Sequence, residues 1–147
     1  MAAIRRADVT WQGDLAHGSG LITASSSHAF GELPVTWASR TERSDGKTSP
    51  EELLAAAHAS CYAMALSFGL GNAGTPPQKL AVNATVTFEP VEGGFKVASS
   101  ALTVRGTVPG VDTAAFQQAA EAAKDGCPIS KALHGNVQLS VEATLEN

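Results

Sequence analysis

The chain has 147 residues, a formal net charge of −4 and a hydrophobic fraction of 44%. This length predicts a single domain, residues 1–147, with enough apolar chain for a core. The ten Lys and Arg residues are scattered and form no basic stripe, which argues against nucleic acid as a partner. No apolar stretch near the N-terminus has the character of a signal peptide, so we expect a cytoplasmic protein. Its two cysteines should then be free thiols at rest.

Hydrophobic periodicity predicts three strands before the first long helix, the first two forming a hairpin, at residues 4–12, 21–24 and 33–37. Residues 39–47 are predicted to form a loop that leads into the helix. The second half is predicted to contain two long strands joined as a hairpin, two helices and a last strand, at residues 79–89, 95–108, 113–125, 127–133 and 136–146. The pattern predicts an α+β fold with a mainly antiparallel sheet and helices on one face.

The long central helix is predicted to begin at Pro50 and to end near Leu70. Ser49 suits the N-cap position, and Glu52 three residues later completes a capping box. The helix is rich in alanine and apolar nearly all round, so we expect it to be buried in the centre of the molecule. Two glutamates, a histidine and a serine interrupt its apolar sequence, so we do not expect it to span a membrane.

Cys61 lies inside this helix. The simplest interpretation is a small buried apolar residue, but Glu51 and His58 fall in the same quadrant of the helical wheel. Arg40 and Arg43 precede the helix, and a guanidinium beside a thiol lowers the pKa of the thiol and favours the reactive thiolate. Glu51 lies about 15 Å from Cys61 along the axis, so the two cannot touch within one helix. Either an arginine bridges the gap, or arginine and glutamate come from a second chain packed antiparallel, which we favour.

Cys127 is the second candidate, because the start of a short helix favours a thiolate. The alternative is a helix-cap cysteine without a role, and the likeness of residues 127–130 to a monothiol redox motif is discounted because such a motif follows a strand. His58 is most simply a core or interface histidine bonded to the backbone. A Cys–His hydrolase pair and a metal site with Cys61 are weaker alternatives, since neither an orienting Asn or Asp nor a second pair of ligands is evident.

Five segments resemble the OsmC/Ohr family, the osmotically inducible protein C and organic hydroperoxide resistance proteins. They are WQGD at 11–14, SPEEL at 49–53, AHASC at 57–61, VPGVD at 108–112 and GCPIS at 126–130. The likeness covers nearly the whole chain. It implies an intertwined homodimer in which two long buried central helices pack between curved antiparallel sheets, and it implies thiol-dependent peroxidase activity.

Carried over to this chain, the resemblance makes Cys61 the peroxidatic cysteine, Cys127 the resolving cysteine and Glu51 the family's glutamate. We assign the family's arginine to Arg40 rather than to Arg43. The hydroperoxide resistance branch has its arginine in the first hairpin turn, which has none here, so the chain resembles the osmotically inducible branch.

The resemblance thus implies an antioxidant enzyme that reduces organic hydroperoxides to alcohols through a Cys61 sulfenic acid and a Cys61–Cys127 disulfide. An external dithiol, of lipoyl type or another small dithiol, would recycle the disulfide. No bound cofactor or metal is expected. The alternative is a non-enzymatic dimeric domain that binds an apolar small molecule in its interface cavity and keeps its thiols buried and unreactive.

Overall fold

The computed structural model describes all residues, Met1–Asn147, and the chain divides into two compact units, Met1–Leu53 and Leu54–Asn147. The first unit contains three strands and a short helix: β1 (Asp8–Gln12), β2 (Ser19–Thr23), β3 (Leu33–Val35) and α1 (Trp37–Thr41). Helix α2 (Pro50–Asn72) begins in the first unit and continues into the second. The second unit adds three strands and two helices: β4 (Lys79–Val91), β5 (Gly94–Thr107), α3 (Thr113–Gly126), α4 (Pro128–Leu133) and β6 (Gln138–Leu145). The predicted α+β fold with a long central helix is confirmed.

The sheet of the first unit is antiparallel, with β2 between β1 and β3. The predicted hairpin is therefore confirmed, although β1 begins later than expected, and β3 forms the other edge of the sheet. Gly20 is required in β2, because a Cβ atom there would lie 2.9 Å from the Trp11 ring and 3.0 Å from the Val35 side chain.

The predicted loop at residues 39–47 is wrong at its start, where α1 forms. Thr36 caps this helix: the Ser39 N–H donates to Thr36 Oγ1 at 3.0 Å, and the Thr36 N–H donates to Ser39 Oγ at 2.9 Å. This capping box was missed because serine occupies the third helical position, where the usual signature has Glu or Gln. The helix carries Arg40.

The start of α2 is as predicted, with one difference. The Glu52 N–H donates to Ser49 Oγ at 3.1 Å, which confirms the N-cap. The Glu52 carboxylate accepts from the Thr48 hydroxyl at 2.7 Å, in place of the reciprocal bond that would complete the box.

The expectation that α2 is buried all round is wrong for a single chain. Its buried residues follow one face, namely Glu51, His58, Tyr62, Leu66 and Leu70. On the opposite face, Met64 and Phe68 are 71% and 72% exposed. The expectation that α2 is too polar to span a membrane is also wrong: by length and composition alone, the helix is long and apolar enough, with a window of mean hydropathy 1.5. Of that window, 22% is buried. Core helices of soluble proteins share this length and composition.

In the second unit, β4 and β5 form the predicted antiparallel hairpin, and β6 lies on the other side of β5. The β5–β6 pair is parallel, which was not predicted. A parallel neighbour needs a crossover connection, and α3 with α4 supplies it. The protein thus has two three-stranded sheets in place of the single sheet expected.

Capping and packing contacts position α3 in the second unit, and α4 begins directly after it. Asp112 caps α3, accepting from the Ala115 N–H at 2.8 Å. Phe116 of α3 lies against Gly106 of β5, where a Cβ atom would be 2.6 Å from the ring. The Tyr62 hydroxyl donates to the Ala120 carbonyl at 2.9 Å and joins α2 to α3. Helix α3 then ends at Gly126, directly before the second cysteine.

Candidate active site

The structure brings the two cysteines together. Cys61 of α2 is partly buried, Cys127 at the N-cap of α4 is fully buried, and both are free thiols. The sulfurs are close enough that each changes the pKa of the other. A partly exposed thiol beside a buried thiol is an arrangement in which oxidation of one can be followed by disulfide formation with the other.

The surroundings of the two thiols set their acidities in opposite directions. Burial raises the pKa of Cys61; the Ile129 N–H opposes this, and Cys127 raises the pKa further. Burial also raises the pKa of Cys127, but the N–H of Ser130, the Cys61 thiol and the Ser130 hydroxyl outweigh it and bring the pKa below its usual value. The sulfur does not cap α4 through a strict hydrogen bond, so these are polar contacts of looser geometry. Apart from the effect of the two thiols on each other, more donor groups surround the Cys127 sulfur than the Cys61 sulfur.

An apolar cavity of about 660 Å³ adjoins Cys61. It lies between α2 and α3, and Met64, Phe68, Ala119 and Pro128 are among the residues that line it. Such a lining favours an alkyl or aryl group over a small polar molecule.

Arg40 and Glu51 form a bidentate ion pair in the first unit. Arg40 Nε lies 3.1 Å from each carboxylate oxygen of Glu51, and Arg40 Nη2 lies 2.8 Å from Oε1. The Glu51 residue is only 8% exposed. The guanidinium carbon also lies 5.8 Å from the centre of the Trp37 ring. These contacts hold the guanidinium in one orientation, because a carboxylate and a ring restrict it from two sides.

The two candidate arginines occupy different environments. Arg43 lies 3.9 Å from Asp45, and both side chains are largely exposed. Arg40 instead lines an apolar cavity of about 220 Å³ together with Trp11, Leu15 and other residues of the first unit. A fixed cation at an apolar cavity, rather than a mobile one in water, is suited to bind a polar group of an otherwise apolar ligand.

His58 is not bonded to the backbone, as its simplest interpretation predicted, but to two serine hydroxyls. Its Nδ1 lies 2.6 Å from Ser100 Oγ and its Nε2 lies 2.8 Å from Ser130 Oγ. Burial lowers the pKa of His58 below its ordinary value, which favours a neutral imidazole at neutral pH. Because the serines occupy both ring nitrogens, the Cys–His hydrolase pair does not form. Sequence reasoning missed Ser100 altogether; Ser130 had a signal, since it lies three residues after Cys127.

No group of three or more His, Cys, Asp or Glu residues is arranged to hold a metal ion. The first unit thus contributes a guanidinium and a carboxylate, and the second unit contributes two thiols and an imidazole.

Comparison with known proteins gives a consistent result. The OsmC-like protein family matches residues 43–142. The chain is 35% identical to "Peroxiredoxin OsmC" of Escherichia coli over 142 residues, which are 97% of this chain and 98% of that protein. It is 30% identical to "Organic hydroperoxide resistance protein" of Xanthomonas axonopodis pv. citri over 95 residues, 64% of this chain and 65% of that protein.

A solved structure is similar over nearly the whole chain. The organic hydroperoxide resistance protein OhrB of Bacillus subtilis superposes with a TM-score of 0.75 at 28% sequence identity. The match covers 95% of this chain and 98% of that protein.

Proposed function

Because the chain belongs to the OsmC-like protein family, as its motifs predicted, we propose that it is a two-cysteine peroxidase that reduces organic hydroperoxides to alcohols. Relatives named peroxiredoxin OsmC and organic hydroperoxide resistance protein support a peroxidase-type function. The observation that carries the proposal is the neighbouring pair of free thiols, one partly exposed beside an apolar cavity and one buried.

The proposed reaction has three steps. The Cys61 thiolate attacks one peroxide oxygen, the O–O bond breaks, and the alkoxide takes a proton and leaves as an alcohol, so that Cys61 becomes a sulfenic acid. Cys127 then attacks the sulfenic sulfur, and a disulfide and water form. An external dithiol, of lipoyl type or another small dithiol, reduces the disulfide by exchange and restores both thiols.

The first step needs a cation near Cys61. A thiol at its reference pKa of about 8.5 is only a few per cent ionised at neutral pH, and burial raises the pKa of Cys61 further. We propose that Arg40 supplies the cation and that Glu51 holds the Arg40 guanidinium through the bidentate ion pair. Glu51 and Cys61 are separated by about 15 Å of helical rise, which favours Arg40 and Glu51 of a partner subunit.

The exposed face of α2 supports a homodimer. Met64 and Phe68 are large apolar residues with most of their surface exposed. Exposed apolar faces of this kind mark interaction sites, and a two-fold dimer is the commonest assembly. Sedimentation equilibrium of the wild type and of Phe68→Asp tests this: we expect a dimer and a shift towards monomer. A wild-type monomer at micromolar concentration would exclude the dimer.

The remaining properties are proposed on the same basis. The protein acts as one OsmC-like domain in the cytoplasm, where cellular dithiols can reach it, and it needs neither nucleic acid nor membrane as a partner. An apolar cavity next to Cys61 favours bulky organic hydroperoxides over hydrogen peroxide.

The decisive experiment is rapid mixing of the reduced protein with cumene hydroperoxide, followed by thiol titration and mass spectrometry. We expect one equivalent of cumyl alcohol, loss of both thiols and a Cys61–Cys127 link. Cys61→Ser should abolish alcohol formation, whereas Cys127→Ser should form the alcohol once and stop at oxidised Cys61. If both thiols survive a modest excess of peroxide, the peroxidase is excluded and the binding of an apolar small molecule becomes the better account.

A further inference from the structure

A path of four buried side chains leads from the resolving cysteine into the core of the second unit. Cys127, His58 and Ser100 are 0% exposed and Ser130 is 1% exposed. Ser130 Oγ lies 2.8 Å from His58 Nε2, and His58 Nδ1 lies 2.6 Å from Ser100 Oγ. At the other end, the Ser130 hydroxyl contacts the Cys127 sulfur closely enough to change its pKa.

The local sequence explains why the path reaches the sulfur. Cys127 is the N-cap of α4, Pro128 is the first helical residue, and Ser130 is the third. A side chain at the third position turns back towards the N-cap residue, as in a capping box. His58 lies on the buried face of α2, so the path also ties the start of α4 to the helix that carries Cys61.

We propose that His58 and Ser130 are positioning residues for disulfide formation: His58 orients the Ser130 hydroxyl towards the Cys127 sulfur, so that Cys127 attacks the Cys61 sulfenic acid as a hydrogen-bonded thiolate. This inference rests on the proposed peroxidase function and assigns a task to a histidine and a serine that the reaction scheme above leaves unused.

The direction of each hydrogen bond in the path depends on which nitrogen of the neutral imidazole carries the proton. One nitrogen donates and the other accepts. If Nε2 carries the proton, it donates to Ser130 Oγ, and the Ser130 hydroxyl proton points to the Cys127 thiolate. Nδ1 then accepts from the Ser100 hydroxyl. If Nδ1 carries the proton, every bond reverses, and Ser130 can accept from the protonated Cys127 thiol. The path therefore serves both protonation states of Cys127 without charging the buried ring.

The step balances within these groups. The Cys127 sulfur forms a bond to the Cys61 sulfur, the S–O bond of the sulfenic acid breaks, and the departing hydroxide takes up the proton that Cys127 has released. The products are a disulfide and water, and no further oxidant or reductant is needed.

Other titratable groups near Cys127 do not obscure its ionisation. From α2 it faces Cys61 and Tyr62; burial raises the pKa of Tyr62 far above neutrality, and its hydroxyl is bonded to a backbone carbonyl. On α3, Glu121 and Lys124 form a 2.9 Å ion pair with each other. With His58 neutral and Cys61 removed by substitution, the thiolate absorbance near neutral pH reports Cys127.

The test compares two matched variants of Ser130 and two matched variants of His58. Ser130→Ala removes the hydroxyl and Ser130→Thr keeps it. His58→Asn keeps a polar group only near the Nδ1 position, towards Ser100, whereas His58→Gln keeps one near Nε2, towards Ser130. Each variant is mixed rapidly with cumene hydroperoxide, and alcohol release, dimedone-trapped sulfenic acid and disulfide are followed separately.

We expect Ser130→Ala and His58→Asn to form the alcohol at the wild-type rate but to close the disulfide about tenfold more slowly at neutral pH, with the sulfenic acid accumulating. Ser130→Thr and His58→Gln should restore most of the rate. In a Cys61→Ser background, titration of the 240 nm thiolate absorbance should show the Cys127 pKa raised by about one unit in Ser130→Ala.

Two results would overturn the inference. One is closure of the disulfide by Ser130→Ala at the wild-type rate with an unchanged Cys127 titration. The other is equal slowing of alcohol release and disulfide closure in all four variants, which would mean a general structural role. If wild-type protein forms no alcohol at all, the peroxidase proposal fails, yet the titration in Cys61→Ser still decides whether Ser130 sets the acidity of Cys127.

Discussion

The ion pair between Arg40 and Glu51 gives the sharpest prediction about stability. Glu51 is 8% exposed and makes three contacts of 2.8–3.1 Å with the guanidinium. Breaking a fully buried pair costs about 3–5 kcal/mol, but the Arg40 side chain is 31% exposed and can regain water. We therefore expect Glu51→Gln to lower the free energy of unfolding by about 2 kcal/mol.

A double-mutant cycle separates the pair from other effects of the substitution. Arg40→Gln, Glu51→Gln and the double variant should give a coupling energy of about 1–2 kcal/mol. Arg43 and Asp45, at 3.9 Å and largely exposed, provide the control pair, for which the coupling should stay below about 0.5 kcal/mol.

Urea unfolding followed by tryptophan fluorescence is the suitable assay. The two tryptophans, Trp11 and Trp37, both lie in the first unit with the ion pair, so the signal reports the unit that the substitution changes. Equal coupling energies for the two pairs would refute the reasoning, because the buried bidentate pair would then contribute no more to the free energy of unfolding than a surface contact.

Three further predictions concern the second unit. Because burial lowers the pKa of His58, the unfolded state binds a proton below about pH 6.5 that the folded state does not bind. The free energy of unfolding should therefore fall as the pH falls below that value, by up to about 1.4 kcal/mol per pH unit. His58→Gln should remove this slope. Gly106→Ala should destabilise by about 1–3 kcal/mol because its Cβ would lie 2.6 Å from the Phe116 ring, whereas Gly126→Ala, which meets no neighbour within 4 Å, should not lower the melting temperature. Asp112→Ala removes the bond to the first turn of α3 and should cost about 1 kcal/mol in urea unfolding.

Local signals in the sequence predict much of the fold. The Ser49 cap of α2 and the strand at residues 79–89 each depend on neighbours within a few positions, and the structure confirms them. Helix α1 was missed because its cap uses Thr and Ser rather than a more typical pair. The parallel β6 was missed because pairing direction depends on the whole crossover through α3 and α4, which no local pattern encodes.

The candidate site shows the same division. The positions of Cys61 inside α2 and of Cys127 at the start of α4 followed from local helix patterns, whereas the choice of Arg40 over Arg43 followed from the resemblance to a family. The link from His58 to Ser100 could not be foreseen, because it joins residues 42 positions apart and Ser100 has no distinctive local pattern. Burial of a polar ring forces such a partner to exist, but sequence does not say which hydroxyl supplies it.

The two thiols differ in where their activation can come from, and this difference favours the proposed assignment of Arg40 to a partner subunit. The groups that lower the pKa of Cys127 belong to its own helix and to Cys61, whereas Cys61, with a raised pKa, depends on a cation that we assign to the partner. Mixing Cys61→Ser chains with Arg40→Gln chains tests the assignment. In a mixed dimer, the intact Cys61 then faces the intact Arg40 of the other chain, so random mixing should restore about a quarter of the wild-type activity. If each arginine serves its own chain, the mixture should stay as inactive as its two components, and the within-chain alternative would stand.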